Sequence, residues 1–359
     1  MFNGILPLNR SQIPSDVVAG FTLATLAIPE VMGYTRIAGT PVITGLFTIL
    51  IPMMLYALLG SSRHLVVGAD SATAAVLAAG LVGIATIGSP EYVAYASLLA
   101  LLAGAMLLAA RLVKVGFLAN FLSRTVLVGF LTGVGIQVGI SQLHDMLGLP
   151  GQGLNPVQEL VSNILQISKT NIYSIVVSIG VLVLIFSLRR ISKRIPAALI
   201  AVLSTIVLSY VFNLSSHGVS VLSRIPSGLP ELGWPNVPIT WNILQQLFPT
   251  AFSMFVIILA QSAATSRAYA ARYNEEFNEN VDLIGLGIAN LSAGLSGTFV
   301  VNGSPTKTEM VDTAGGRSQI SQLTTVCIVL AVLLFLTGPL SYANCSSCSH
   351  CFRYRSWTS

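Results

Sequence analysis

Apolar stretches long enough to cross a lipid bilayer recur from one end of this chain to the other, and they leave it few ways to fold. A helix rises about 1.5 Å per residue, so a hydrocarbon core about 30 Å thick takes roughly 20 mostly apolar residues. About eleven apolar segments can be placed, near 17–34, 43–59, 71–87, 93–110, 125–143, 172–188, 196–213, 246–266, 281–298, 306–314 and 318–340. Repeated stretches of that length read as membrane-spanning helices, so an all-α polytopic membrane protein is expected. Only 9% of the 359 residues are charged, against about 25% in a soluble domain, and no polar block is long enough to form one. The net charge of +5 fits Lys and Arg gathered on cytoplasmic loops better than a nucleic-acid surface.

Two segments depart from a plain span. The one beginning at Ser71 is preceded by His64-Leu65-Val66-Val67-Gly68-Ala69-Asp70, a β-branched run containing glycine. The one at 306–314 is only half a span and holds Lys307 and Glu309. It follows a second extended run, Ser296 to Pro305. Asp70 and Ser304 are both residues that cap helix N-termini. Each half of the chain therefore has an extended lead-in that turns into a short helix. Paired interruptions of this kind point to an inverted-repeat transporter with its site at the middle of the bilayer.

Charge gives the threading. With the N-terminus in the cytoplasm and each segment crossing, the cytoplasmic side receives Arg10, Arg63, Arg111, Lys114, Arg124, Arg189, Arg190, Lys193, Arg194, Arg267, Arg272 and Arg317. The outside receives Arg36, Lys169 and Arg224, together with the long loops 144–171 and 214–240. Such an excess on one side is the positive-inside pattern of a plasma (inner) membrane protein. The first apolar stretch is interrupted by Pro29 and Glu30 and has no small-residue cleavage site after it, so no cleavable signal peptide is expected.

A few polar residues inside the spans carry the chemistry. Glu30 follows Pro29, and a carboxylate within a span faces a polar cavity or sits near a helix end. Lys307 falls in the first turn of the second short helix, where free N–H groups and the positive end of the helix dipole already favour an anion. Opposite it would stand the N-terminus Asp70-Ser71-Ala72-Thr73. The blander alternative for Lys307 is an interfacial side chain paired with Glu309 or Asp312. Gln261, Ser262, Thr265 and Ser266 form a polar stripe on the 246–266 segment, which serves either a cavity or helix packing.

Several separate motifs resemble the SulP (sulfate permease) family. They are Asp16-Val17-Val18-Ala19-Gly20-Phe21-Thr22, Ala27-Ile28-Pro29-Glu30-Val31-Met32-Gly33-Tyr34, and Leu55 through Asp70. Gly287-Ile288-Ala289-Asn290-Leu291-Ser292-Ala293-Gly294 and Ser304-Pro305-Thr306-Lys307-Thr308 complete them. The resemblance runs from about residue 10 to residue 342. It implies seven plus seven inverted spans, split into a core and a gate, and a homodimer. It implies transport of an inorganic anion such as sulfate, bicarbonate or chloride, with dicarboxylates carried by some members. The implied anion site lies at Ser71, Ala72, Thr306 and Lys307, with Glu30, Asp70, Gln261 and Thr265 as coupling or cavity-lining residues. The coupling ion would be H⁺ or Na⁺. Gln261 stands where many coupled members carry a carboxylate, and an amide can neither take up a proton nor balance sodium; Glu30 could carry the proton instead.

The resemblance also implies three further spans and a cytoplasmic STAS domain. Residues 1–342 would then be a shortened transporter domain with an incomplete second repeat. The stretch 343–359 reads as an aberrant tail, since a shift of one nucleotide restores an apolar span, and the chain by itself would be an inactive fragment. Cys345, Cys348, His350 and Cys351 are of metal-ligand type, but their spacing matches no usual pattern, so neither a metal nor a cofactor is expected. No HExxH, GxSxG or paired catalytic carboxylates appear, and no enzyme is expected. A carrier of a neutral or organic solute, such as a nucleobase or dicarboxylate, is the alternative reading on the same fold.

Overall fold

A computed structural model of the chain describes residues 4–7, 9–81, 83–113, 140, 143, 146–149, 156–191, 197–219, 228–276 and 278–336. Nearly all of the expected span 125–143 lies outside the described residues, as does the tail 343–359 with its Cys and His residues. The helices are α1 (Ile13–Ala38), α2 (Val42–Ile49), α3 (Ile51–Leu59), α4 (Ser71–Leu81), α5 (Pro90–Leu112), α6 (Pro156–Leu165), α7 (Ile172–Ile191), α8 (Ala197–Phe212), α9 (Trp241–Tyr273), α10 (Glu279–Leu295), α11 (Pro305–Thr313) and α12 (Ile320–Ala331). Two short strands, β1 (Val67–Gly68) and β2 (Asn302–Gly303), precede α4 and α11. The chain is thus an all-α membrane protein whose extended lead-ins pair with each other.

Several elements differ from the sequence reading for identifiable reasons. The segment 43–59 is divided at Leu50, because Pro52 has no N–H to offer the preceding turn. The helix from Ser71 stops at Leu81 rather than 87, ahead of Gly83 and Gly88 at φ +79° and +77°. Helix α9 runs for 33 residues, about 50 Å at 1.5 Å per residue, and so overruns the bilayer. The loop 144–171 contains α6, whose 10 residues are too few for a span.

Small residues set how close the spans lie. A Cβ on Gly104 of α5 would stand 2.9 Å from the Gly287 carbonyl of α10. A Cβ on Gly20 of α1 would stand 2.4 Å from the Ser321 carbonyl of α12, and Thr325 Oγ1 donates to the Gly20 carbonyl at 2.9 Å.

Contacts at the two ends of the bundle fix the direction of each element. At one end the Asp282 carboxylate accepts from Ser61 N (2.7 Å) and Ser62 N (3.0 Å), joining the end of α3 to the start of α10. Asp16 accepts from Arg317 N (2.6 Å) and Ser318 Oγ (2.5 Å), joining the start of α1 to the start of α12. At the other end Gly88 N donates to the Gly39 carbonyl (3.0 Å) and Thr298 Oγ1 to the Thr44 carbonyl (2.5 Å). The lead-in 60–66 therefore enters from the first end and 296–301 from the second. They meet where Val67 pairs with Gly303 and Gly68 with Asn302, antiparallel. From that meeting α4 runs to the second end and α11 to the first.

Extended backbone inside a membrane must be satisfied by the protein, and buried amide side chains do it here. Asn290 donates to the Val301 carbonyl (2.9 Å) and accepts from Val301 N (3.0 Å). Gln322 donates to the Leu65 carbonyl (2.8 Å) and accepts from Val67 N (3.0 Å). Gln319 donates to the carbonyls of Ser62 (2.8 Å) and Leu65 (2.9 Å).

Candidate functional site: two half-helices facing across a lysine–glutamate pair

Both short helices start within a few residues of the β1–β2 ladder, so their N-termini stand side by side at mid-bundle. Ser304 caps α11, its hydroxyl accepting from Lys307 N at 3.4 Å. Asp70 holds the equivalent place before α4 by its carbonyl, which accepts from Ala74 N at 3.0 Å. Its carboxylate turns instead toward the Ser71 hydroxyl (3.4 Å) and Asn302 Nδ2 (3.1 Å). Ser71, Ala72 and Thr306 are partly exposed here, whereas Lys307 is completely buried.

Lys307 bridges the two halves. Its Nζ donates to the Ala69 carbonyl at 2.8 Å and lies 2.9 Å from Glu30 Oε2 of α1. The Tyr34 ring covers the same ammonium at 4.9 Å, and the Tyr34 hydroxyl donates to Glu30 Oε1 at 2.6 Å. Pro29 and Glu30 lie within α1, and Tyr34 sits one turn beyond Glu30, so both side chains point to the same face. A buried ammonium is tolerated only when paired and hydrogen-bonded, and this one has a carboxylate, a carbonyl and an aromatic face.

The pairing of Lys307 with Glu309 or Asp312 is not what forms. Glu309 accepts from Tyr269, and Asp312 from Tyr273. Asp312 also meets Arg317 (2.7 Å) and Arg272 (3.0 Å). Two residues along a helix is the far face, and the lower end of α11 is held by arginines from its neighbours. His64 stacks on Tyr273 with centroids 4.6 Å apart and reaches Glu275 at 3.1 Å. Arg63, Arg267, Arg272 and Arg317 thus gather at one end of the bundle in ion pairs with Glu275, Glu279, Glu309 and Asp312.

The polar stripe of α9 divides between roles. Ser262 Oγ accepts from Gly303 N (3.0 Å) and Ser266 Oγ donates to Asp282 (3.3 Å), so both are structural. Gln261 Oε1 accepts from Asn302 Nδ2, which also serves Asp70. Thr265 Oγ1 and Asn302 Oδ1 are buried with no hydrogen-bond partner among the described residues. Asn302 and Tyr34 were not singled out as site residues from sequence. The lone signal for Asn302 was an amide at the end of an apolar lead-in.

The sequence matches the model of the sulfate permease family over residues 13–347. A Mycobacterium tuberculosis (strain CDC 1551 / Oshkosh) protein described as a probable sulfate transporter is 36% identical over 332 residues, covering 92% of this chain and 59% of its own length. An Arabidopsis thaliana protein described as probable sulfate transporter 3.3 is 28% identical, covering 92% of this chain and 54% of its own length. The chain therefore spans little more than half of these relatives. Among solved structures, SLC26A9 superposes with a TM-score of 0.73 at 22% identity, over 94% of this chain and 57% of that one. The transmembrane domain of a cyanobacterial bicarbonate transporter, BicA, does so with a TM-score of 0.71 at 23% identity, over 93% and 86%. With the family match running through α1, both lead-ins, α4 and α11, this chain belongs to the sulfate permease family.

Proposed function

We propose that this chain supplies the anion site of a transporter that carries inorganic anions of the sulfate, bicarbonate or chloride class across the plasma (inner) membrane by alternating access around Lys307. The observation that carries this reading is a fully buried ammonium set where two helix N-termini meet. An oxyanion placed there would gain the Lys307 charge, the free N–H groups at the start of α4, and the hydroxyls of Ser71 and Thr306. The names of the relatives described as probable sulfate transporters agree with that chemistry. The arginines gathered at the α1 N-terminal end support a cytoplasmic N-terminus.

Glu30 supplies the coupling in this reading. Its carboxylate holds the position beside Lys307 that an anion would take. A proton on Glu30 cancels that competition and frees the ammonium, so proton and anion enter together. Gln261, an amide, leaves α9 without a carboxylate for this role. One observation favours the rival reading of a neutral solute: Lys307 is already paired. Uptake of radiolabelled sulfate and of uracil into proteoliposomes separates the two. Saturable sulfate uptake, enhanced by an inward proton gradient and competed by other inorganic anions, is expected. Sulfate flux driven by sodium alone would replace the proton, and uracil uptake without sulfate uptake would refute the anion reading.

A further inference from the structure

The charge in the pocket does not balance with one proton. Lys307 lies 2.9 Å from Glu30 and donates to the carbonyl of Ala69 at 2.8 Å, and the next residue, Asp70, turns its carboxylate toward Ser71 and Asn302 of the same site. Tyr34 lies within electrostatic reach of both carboxylates. Among the described residues these are the titratable groups facing the pocket: Glu30 and Tyr34 from α1, Asp70 before α4, and Lys307 from α11. Gln261 of α9 and Asn302 of β2 are neutral. With both carboxylates ionised and Lys307 charged, these groups sum to one net negative charge, and a divalent anion beside them would bring the total to three.

A second, independent observation concerns Asn302. Its Nδ2 is shared between Asp70 Oδ2 (3.1 Å) and Gln261 Oε1, while its Oδ1 is buried with no partner. Leaving a buried acceptor unmade is unfavourable, and such an atom calls for an explanation. An ionised carboxylate can only accept, so Asp70 as a carboxylate can serve Nδ2 alone. A protonated carboxyl has one O–H to give. It can pair with both ends of the amide, its C=O accepting from Nδ2 and its O–H donating to Oδ1. A proton on Asp70 would give Asn302 Oδ1 the donor it lacks.

We propose that Asp70 is a second proton-binding group of this site, so that each divalent oxyanion is carried with two protons, one on Glu30 and one on Asp70. This rests on the anion-transport reading above. The protons bond to one oxygen of each carboxylate on the loading side and leave from the same atoms on the release side. The pocket then has the same net charge empty and loaded, and its reorientation moves no net charge relative to the empty return. A monovalent anion keeps that balance with one proton.

Proton uptake on binding tests this with the purified full chain in detergent. Calorimetric titration with sodium sulfate, repeated in buffers of different ionisation heat, counts protons taken up per sulfate bound. The wild type should take up close to two, and Asp70→Asn one fewer. If binding takes up two protons, the sulfate Kd should weaken about a hundredfold per pH unit in the wild type and about tenfold in Asp70→Asn. A wild-type count near one overturns the proposal, and needs no variant to fold. An unchanged count in an Asp70→Asn protein that still binds sulfate also overturns it. A wild type that binds no sulfate at all overturns the anion reading beneath it.

Discussion

Replacing Glu30 with glutamine should tighten anion binding, which is not the usual fate of a buried ion-pair partner. The Glu30 carboxylate lies 2.9 Å from the buried Lys307 ammonium and its side chain is 15% exposed. Two unit charges about 4 Å apart at an effective dielectric of about 20 attract by about 4 kcal/mol. An incoming anion has to displace that interaction. Glutamine keeps the shape and can still hydrogen-bond the Lys307 ammonium, a contact to a charged group with a net value of about 1.5–3 kcal/mol. The difference, about 1–2.5 kcal/mol, corresponds to sulfate bound roughly 5- to 60-fold more tightly at a pH where the wild-type carboxylate is ionised. The Glu30→Gln protein should also lose one proton from the pH dependence of binding and show a flatter pH profile of uptake. Titration calorimetry over a pH series measures both. Weaker or unchanged sulfate affinity, or an unaltered pH dependence, would refute a Glu30 that competes with the anion for Lys307.

Other parts of the structure make separate predictions. Asp16→Asn weakens the carboxylate bonds to Arg317 N and to Ser318 N and Oγ that hold the start of α12 against α1; a loss of about 1–3 kcal/mol is expected, read as a lower thermal midpoint. Gly104→Leu should prevent α5 from meeting α10, because even a Cβ stands 2.9 Å from the Gly287 carbonyl; Gly180→Ala, with nothing within 4 Å, should leave the yield of monodisperse protein unchanged. His64, in the turn between α3 and β1, is held below its ordinary range chiefly by burial, against the pull of Glu275. The unfolded chain then binds the proton more readily, so stability from neutral His64 is present above about pH 6.5 and falls as acid is added. Thermal midpoints of His64→Gln should depend less on pH across that acid range than those of the wild type.

Much of the fold is written locally. Apolar length places the spans, and the two lead-ins are visible because Val66, Val67 and Gly68, like Val300, Val301 and Gly303, interrupt helical text with strand-forming and flexible residues. Lys307 is legible for the same reason, since a lysine in the first turn after Ser304-Pro305 has few bland explanations. What escapes is pairing across the chain. Glu309 and Asp312 are near Lys307 in sequence, yet Tyr269, Tyr273, Arg272 and Arg317 claim them. The true partner, Glu30, lies 277 positions away, brought in because α1 packs on both α4 and α11. Asn302 escapes because its meaning depends on Asp70 and Gln261 arriving at the same point from opposite halves. The division of 43–59 at Leu50 was signalled by Pro52, and the overrun of α9 by nothing stronger than the helix-forming run after Gln261.

The central claim is that the Lys307 charge binds the transported anion, and one affinity measurement tests it most directly. Lys307→Ala made in the Glu30→Gln background strands no Glu30 carboxylate, so a loss of binding cannot be blamed on that charge. Sulfate titrated into the Glu30→Gln protein with and without Lys307→Ala should show a loss of about a thousandfold, the equivalent of about 4 kcal/mol, while Lys307→Arg in the same background retains most of the affinity. Sulfate binding within a few-fold of the Glu30→Gln value in the Lys307→Ala protein would contradict the account.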